Sequence, residues 1–398
     1  MEKHRILNPL NTSVDSYSCQ SCQSHTLNEI LGFGNLPRVT SDSKPFKNGG
    51  RLFVCDTCGL TQKIPDPVWI AEIERIYADY QMYYQSDTPD QVVFAPTSGE
   101  PIGRCELLVQ HLKASKAIKN SGVLLDVGAG SGAMLSAFSA SFTNWQLSGL
   151  DLDNRKLNKL REIRGFDTLY TVTPPELPRL FDLMSLIHSL EHLINPIEFL
   201  KQLLEKTSID GQIFIEVNNV TEVPFDLVVA DHLCHFSPYT LHALVGRAGW
   251  SVEILATNWA RKELSLLAGR QASKSMHSEN PAFEGAESAF KRTQRQVDWL
   301  VGLITQANEL AAAGAIGIFG TSVAATWLAS ALGSKVAFFV DEDPARKGKT
   351  HMGCPIFRPI DAPRGSSVFL AFPNPIAKSI AKRLSNLAAK YIAPVVTC

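Results

Sequence analysis

Four groups of residues have the types and spacing to do chemistry. Cys19-Gln-Ser-Cys22 and Cys55-Asp-Thr-Cys58 are two C-x2-C turns with 32 residues between them. Each turn presents two thiolates to one side of a metal. Two such turns complete a closed tetrahedral shell, the donor set of structural Zn2+. Gly59, directly after the second pair, suits the tight backbone of a metal knuckle. The second group is Asp126-Val127-Gly128-Ala129-Gly130-Ser131-Gly132, which ends an apolar run and opens a helical pattern. Its glycines, Gly128, Gly130 and Gly132, let a ligand lie against backbone where a side chain would block it. Asp151 closes the next apolar run, where a carboxylate can bind both hydroxyls of a ribose. The last two groups, His188-Ser189-Leu190-Glu191-His192 and Asp231-His232-Leu233-Cys234-His235, offer histidines beside carboxylates, the pairing that moves protons near neutral pH.

Disulfides between the paired cysteines fit poorly with a chain whose start, Met1–Val14, is charged and lacks the apolar core of an export signal. The other cysteines are scattered and read as small buried residues. At the glycine-rich turn, a nicotinamide dinucleotide and S-adenosyl-L-methionine both fit a strand–turn–helix–strand–acid order. A dinucleotide calls for G-x-G-x-x-G, so that pyrophosphate meets a helix N-terminus. This turn reads G-x-G-x-G after Asp126, and it resembles motif I of class I S-adenosylmethionine-dependent methyltransferases. The expected cofactor contacts are Asp126, Gly128, Ala129, Gly130, Gly132 and Asp151. His188 and His192 have the i, i+4 spacing of a metal pair but lack the H-E-x-x-H order, so a catalytic metal is not expected there. His232 is the expected general base, oriented by Asp231.

These groups need elements to hold them. Val68–Tyr84 reads as a helix with Trp69, Ile73, Ile76, Tyr77 and Tyr80 on one face and Tyr83 and Tyr84 at its end, an aromatic face expected to pack on the next domain. From Cys105 onward, helix and strand patterns alternate: strands over Val123–Val127, Trp145–Leu150, Phe181–Ile187 and Gln212–Val217, helices over Glu106–Lys119, Gly132–Ala140, Asn154–Arg164 and Pro196–Thr207. Such alternation builds a doubly wound parallel sheet covered on both faces, with ligands at the carboxyl ends of the strands. Phe290–Leu310 carries the apolar stripe of a long connecting helix. Beyond Gly314, a second and smaller α/β unit follows. The expected organisation is a zinc-binding module over 1–64, a helical linker over 65–104, a methyl-transfer domain over 105–260, a linker and connecting helix over 261–312, and a Rossmann-like domain over 313–398.

Composition removes several classes of function. With 45% hydrophobic residues the 398-residue chain can bury more than one core. Its 38 basic and 39 acidic residues give a net charge of −1, which removes the electrostatic case for wrapping nucleic acid or an anionic membrane. Ala311–Ser334 is uncharged, but glycines, serines and threonines interrupt it, and it reads as strand, turn and helix rather than a membrane span. A cytoplasmic, soluble protein is expected.

Taken along its length, the chain resembles the sugar C-methyltransferases of deoxysugar pathways. The resemblance rests on the four-cysteine module, the glycine-rich turn, His188-Ser189-Leu190-Glu191-His192 as an H-x-L-E-H motif, and the C-terminal Gly317-Ile318-Phe319-Gly320-Thr321-Ser322 and Phe339-Val340-Asp341-Glu342-Asp343-Pro344 segments. It implies a nucleotide-linked keto-sugar as small-molecule partner, His232 as base, and His188, Glu191 and His192 at the same site. The family pattern Y-x-E-H-x-x-x-F-S appears as Val229-Ala230-Asp231-His232-Leu233-Cys234-His235-Phe236-Ser237, with Val229 at the tyrosine position and Asp231 at the glutamate position. The H-G-G-S-L-R segment that follows in the family is replaced by Ala260-Arg261-Lys262-Glu263-Leu264-Ser265. These departures keep three alternatives open: O-methylation of a glycan or other small metabolite, an NAD-linked sugar enzyme, and a zinc adaptor without catalysis.

Overall fold

A computed structural model of the chain describes residues 17–80, 90–94, 101–271 and 281–395. Tyr83 and Tyr84, expected at the end of the first helix, lie outside the described residues. That helix, Pro67–Ala78, starts where Asp66 accepts a hydrogen bond from the Trp69 N–H at 2.7 Å and Pro67 supplies a preset φ at the first position.

The central sheet has seven strands. Their order is Phe166–Tyr170, Asn144–Leu150, Ser121–Val127, Phe181–Ile187, Thr207–Asn218, Glu263–Gly269 and Ser251–Ala256. The first five are mutually parallel, as the helix–strand alternation implies. Glu263–Gly269 runs antiparallel to both its neighbours, so the sheet is mixed rather than wholly parallel. This strand corrects the expected boundary at 260. Every one of its seven residues is buried, because it is inserted between two strands instead of lying in a linker. Asn154–Arg164 also departs from expectation: only Leu157–Leu160 is helical, a single turn.

Two smaller sheets flank this one. The N-terminal sheet is antiparallel, in the order Leu27–Glu29, Phe53–Cys55, Thr61–Gln62 and Cys234–His235. Its fourth strand comes from the segment that carries His232, with Cys234 paired to Gln62 and His235 to Thr61. The C-terminal sheet has Val336–Val340 and Ile316–Phe319 at its centre, parallel to each other and to Ser367–Phe369. The helix Ala286–Ala311 links them: Thr293 Oγ1 meets Thr61 Oγ1 at 3.1 Å, and its far end packs with Trp327 and Ile316 in one core. The Trp327 indole donates to Pro37 O at 2.8 Å, tying the C-terminal unit directly to the N-terminal module. Among the described residues, no helix is long and apolar enough to cross a membrane.

Candidate active site

The glycine-rich turn closes the strand Ser121–Val127 and opens the helix Ala133–Ser141. Gly128, Gly130 and Gly132 all have positive φ, of 77°, 49° and 81°. A Cβ at Gly132 would lie 2.6 Å from both Leu160 and Ile163, and one at Gly128 would collide with Ser189 Oγ. A side chain at any of the three is strained by the positive φ, and at Gly128 or Gly132 it would also have to displace Ser189, or Leu160 and Ile163. Asp151 Oδ2 accepts the Gly130 N–H at 2.7 Å and Oδ1 accepts the Leu152 N–H at 2.7 Å. Two lone-pair directions remain for ribose hydroxyls. Burial pushes Asp151 above the usual carboxylate range, against those two donors. Asp126 sits beneath the turn, accepting from Ser185 Oγ at 2.6 Å, and burial raises it to about 7. A bare backbone cradle with an acid at its rim fits the adenosyl part of S-adenosylmethionine.

The four expected metal ligands also converge. Cys19 Sγ and Cys58 Sγ are 3.5 Å apart and Cys22 Sγ and Cys55 Sγ 3.4 Å, and all four sulfurs lie within 4.8 Å of one another. A disulfide needs about 2.05 Å, whereas a tetrahedral ion with bonds of about 2.3 Å spaces its sulfurs by roughly 3.8 Å. Each knuckle ends in a left-handed residue, Gln23 (φ 62°) or Gly59 (φ 74°), whose N–H donates to the carbonyl of Cys19 or Cys55. Thiol contacts with Cys55 and Cys58, together with burial, push Cys19 upward, while the contact with Cys19 pulls Cys55 down. A divalent cation bound here would resolve that conflict by holding all four as thiolates.

Next to the end of the strand Phe181–Ile187, a cavity of about 400 Å3 opens between the three sheets. His188, His192 and His232 line it from the methyl-transfer unit, Ser41 and Tyr80 from the N-terminal side, and Thr321, Ser322, Arg346 and Phe372 from the C-terminal unit. Tyr80, expected only to pack, thus reaches the site, and its neighbour Tyr77 meets His192 Nδ1 at 3.0 Å.

His232 is buried at the cavity wall, 4% exposed. Its Nδ1 donates to Asp226 Oδ1 at 2.7 Å. Asp226, rather than the expected Asp231, is thus the orienting carboxylate. It stands six residues upstream on the short 3-10 helix Pro224–Val228, which folds back beneath the ring. Asp231 points away, accepting from the Ser41 N–H at 2.8 Å and from Ser41 Oγ, with His192 Nδ1 3.6 Å off. Burial disfavours the His232 imidazolium, but Asp226 outweighs it, with Glu191 and Asp231 adding, and the histidine titrates above its ordinary value. The same pairing holds Asp226 well below the usual range despite its burial.

His188 has a left-handed backbone, φ 49°. Its Nδ1 meets Glu191 Oε1 at 3.1 Å and its Nε2 lies 3.4 Å from Glu263 Oε1. Burial and Arg104 push it down, yet the two carboxylates prevail and raise it to about 9. At neutral pH it is an imidazolium, suited to donate a hydrogen bond and not to remove a proton. His192 is lowered by burial and by His232, whose ring stands edge-on at 4.7 Å. It is neutral, with Nδ1 donating to Asp231 O at 3.0 Å. Glu216 is fully buried behind this group, and burial with Glu263 nearby keeps it protonated. The carboxylate–histidine contacts of 2.6–2.7 Å among Asp226, His232 and His235 are hydrogen-bond distances. Two ligands of one zinc-sized ion would stand about 3.3 Å apart, so this cluster is not preformed for a metal.

Residues 103–254 match the family model described as a methyltransferase domain. No curated protein sequence matches the chain. Among solved structures, a SAM-dependent methyltransferase from Aquifex aeolicus matches at 17% identity and a TM-score of 0.36, over 42% of this chain and 93% of that one. The pyocyanin biosynthetic protein PhzM matches at 18% identity and 0.35, over 42% and 55%. Human N-acetylserotonin methyltransferase, in complex with SAM, matches at 15% identity and 0.35, over 42% and 56%. The matches to these last two span little more than half of their length. Residues 103–254 are a methyltransferase domain, and the chain is an enzyme of the methyltransferase class.

Proposed function

We propose that this enzyme methylates a sugar, carried as a nucleotide-linked sugar or as part of a glycan, with His232 as general base. The observation that carries the reading is the Asp226–His232 pair: with Nδ1 committed to Asp226, the Nε2 lone pair is left for an acceptor in the cavity. S-adenosylmethionine supplies an electrophilic methyl group, whose bond to sulfur breaks as the acceptor attacks in line. The chain's own part is to hold the acceptor and remove one proton from it, from carbon next to a carbonyl or from a hydroxyl. The His188 imidazolium supports the developing oxyanion. Arg261, Lys262 and Arg346 place positive charge on the cavity wall, which suits an acceptor bearing phosphate. The four cysteines hold a structural zinc in this reading. The protein acts in the cytoplasm as a small-molecule enzyme.

One observation favours O-methylation over C-methylation. Val229 lines the cavity where the resemblance places a tyrosine, so no phenol from that position steadies an enolate. Incubating the protein with labelled S-adenosylmethionine and a panel of nucleotide sugars and glycans, then mapping the label, tests both readings. Label on a sugar oxygen supports O-transfer and label on ring carbon supports C-transfer. Transfer to neither, with transfer to another metabolite class, rejects the sugar acceptor.

A further inference from the structure

His235 is wholly buried, as is Lys63 at 1% exposure, and neither lines the cavity. They nevertheless connect to its base through an unbroken series of hydrogen bonds. Lys63 Nζ donates to Val229 O at 2.9 Å and His232 O at 2.7 Å, and stands 3.0 Å from His235 Nε2. As an ammonium Lys63 has three protons and no lone pair, so His235 Nε2 accepts from it, and the Asp226 carboxylate demands the same tautomer from the other side. The His235 proton then sits on Nδ1, which donates to Asp226 Oδ2 at 2.6 Å. Asp226 spends its other oxygen on His232 Nδ1 at 2.7 Å. Each donor has one acceptor, and the direction of the series follows from the lysine end.

We propose that Lys63 and His235 are positioning residues for methyl transfer, fixing through Asp226 the tautomer and the basicity of His232. Four steps link them: the lysine fixes the ring proton of His235, that proton occupies one oxygen of Asp226, the other oxygen holds the ring proton of His232, and the lone pair of His232 is left facing the cavity. The proposal rests on His232 being the base. Other charged groups also face the two ends. His232 sees Glu191, Asp231 and His192, and Lys63 sees Arg38, Asp231 and Cys234. Burial holds His235 down to about 4, with the Lys63 charge adding, so His235 stays neutral; burial also lowers Lys63 to about 7, so its third proton titrates around neutral pH.

The position of Lys63 joins this series to the N-terminal module. Thr61–Gln62 pairs with Cys234–His235 in the same antiparallel sheet, so both ends of the Lys63–His235 contact ride on one ladder. A volume-filling role and a proton-directing role make opposite demands on position 235. Phenylalanine fills the space without donating. Asparagine leaves space but puts an N–H near the position of Nδ1.

Two measurements on the full-length protein test the proposal. Ring 15N spectra of histidine-labelled enzyme at neutral pH should show His235 protonated on Nδ1 alone; an Nε2–H ring or an imidazolium there overturns the proposal. Then His235→Phe should lower kcat about 10-fold or more with KM and cofactor affinity nearly unchanged, while His235→Asn keeps most of kcat, the scale of a modest acid–base defect. The reverse ranking overturns it in favour of packing. Lys63→Met removes a cation from the series, so the acid limb of kcat/KM should move up by about one pH unit. An unmoved limb overturns the role of Lys63. If His232→Asn retains full activity, the base reading falls, and the ring spectra of the unmodified protein still decide the tautomers.

Discussion

Gly130 and Asp151 are joined across two adjacent strand ends by one hydrogen bond of 2.7 Å, from the glycine N–H to the carboxylate. The acid that should read the ribose thus also pins the turn that should receive the rest of the cofactor. Asp151→Ala removes both functions. S-adenosylmethionine affinity, measured by calorimetry, should fall by about 1–3 kcal/mol, the cost of leaving a buried partner unpaired. Asp151→Asn should recover part of this, because its carbonyl oxygen can still accept from Gly130. Equal affinity in all three proteins rules the turn out as the cofactor site.

Asp226 and Asp231 give a direct comparison. Asp226→Asn should reduce turnover about 100-fold or more, as should His232→Asn, on the scale of a lost general base. Asp231→Asn should cost less in turnover, because its carboxylate serves Ser41 and not His232. Cofactor affinity is the control for misfolding in each. A larger loss in Asp231→Asn than in Asp226→Asn would falsify the assignment.

The pH dependence of turnover has a definite sign. His232 titrates above 6.5 because Asp226 stabilises its charged form, and the neutral form is the active base. Activity should therefore rise with pH through a limb above 6.5, and Asp226→Asn should move that limb downward.

His188 makes a separate prediction about stability. Its folded value is about 9, above the ordinary 6.5, so its ion pairs stabilise the native state fully below 6.5. That contribution is lost as pH rises through about 9. Lys63, whose folded value is depressed from 10.5 to about 7, works in the opposite sense between about 7 and 10.5. Comparing the pH dependence of thermal unfolding in wild type and His188→Gln isolates the histidine. The wild type should lose its advantage between about pH 6.5 and 9. A constant difference across that range removes the charged His188.

The metal prediction is stoichiometric. Purified protein should contain about one zinc per chain, the number set by one tetrahedral four-cysteine shell. Cys55→Ser or a strong chelator should lower the unfolding temperature. Recovery of Cys19, Cys22, Cys55 and Cys58 as disulfides, or of zinc-free protein with unchanged stability, contradicts it.

What the sequence made legible, and what it hid, follows from range. The C-x2-C turns, the glycine-rich turn and Asp151 are local signals: a few residues at fixed offsets meet one geometric demand. They could be read without knowing the fold. Phe181–Ile187 was legible because a short apolar run before a polar loop has one good solution in an α/β chain. Glu263–Gly269 follows a polar flank, Arg261-Lys262, so the sequence left it open between linker and strand, and its neighbours in the sheet show why it is a strand. Asp226 was hidden differently. A carboxylate next to a histidine in sequence draws attention, whereas the one that touches it depends on how Pro224–Val228 coils. Lys63 and His235 carry no sequence signal as a pair, since 172 residues separate them. Arg104 and Glu263, whose ion pair of 3.4 Å braces His188, are 159 residues apart.

The fourth strand of the N-terminal sheet also bears on how this chain can be recombined. Cys234–His235 completes a sheet whose other three strands precede residue 65. A chimera exchanging only residues 1–64 with a relative would graft three strands onto a foreign fourth, and would break the Lys63 contacts unless His235 and Val229 travelled too. The natural unit of exchange is therefore discontinuous, the first 64 residues together with 224–237, and a crossover placed at the sequence boundary cuts through it.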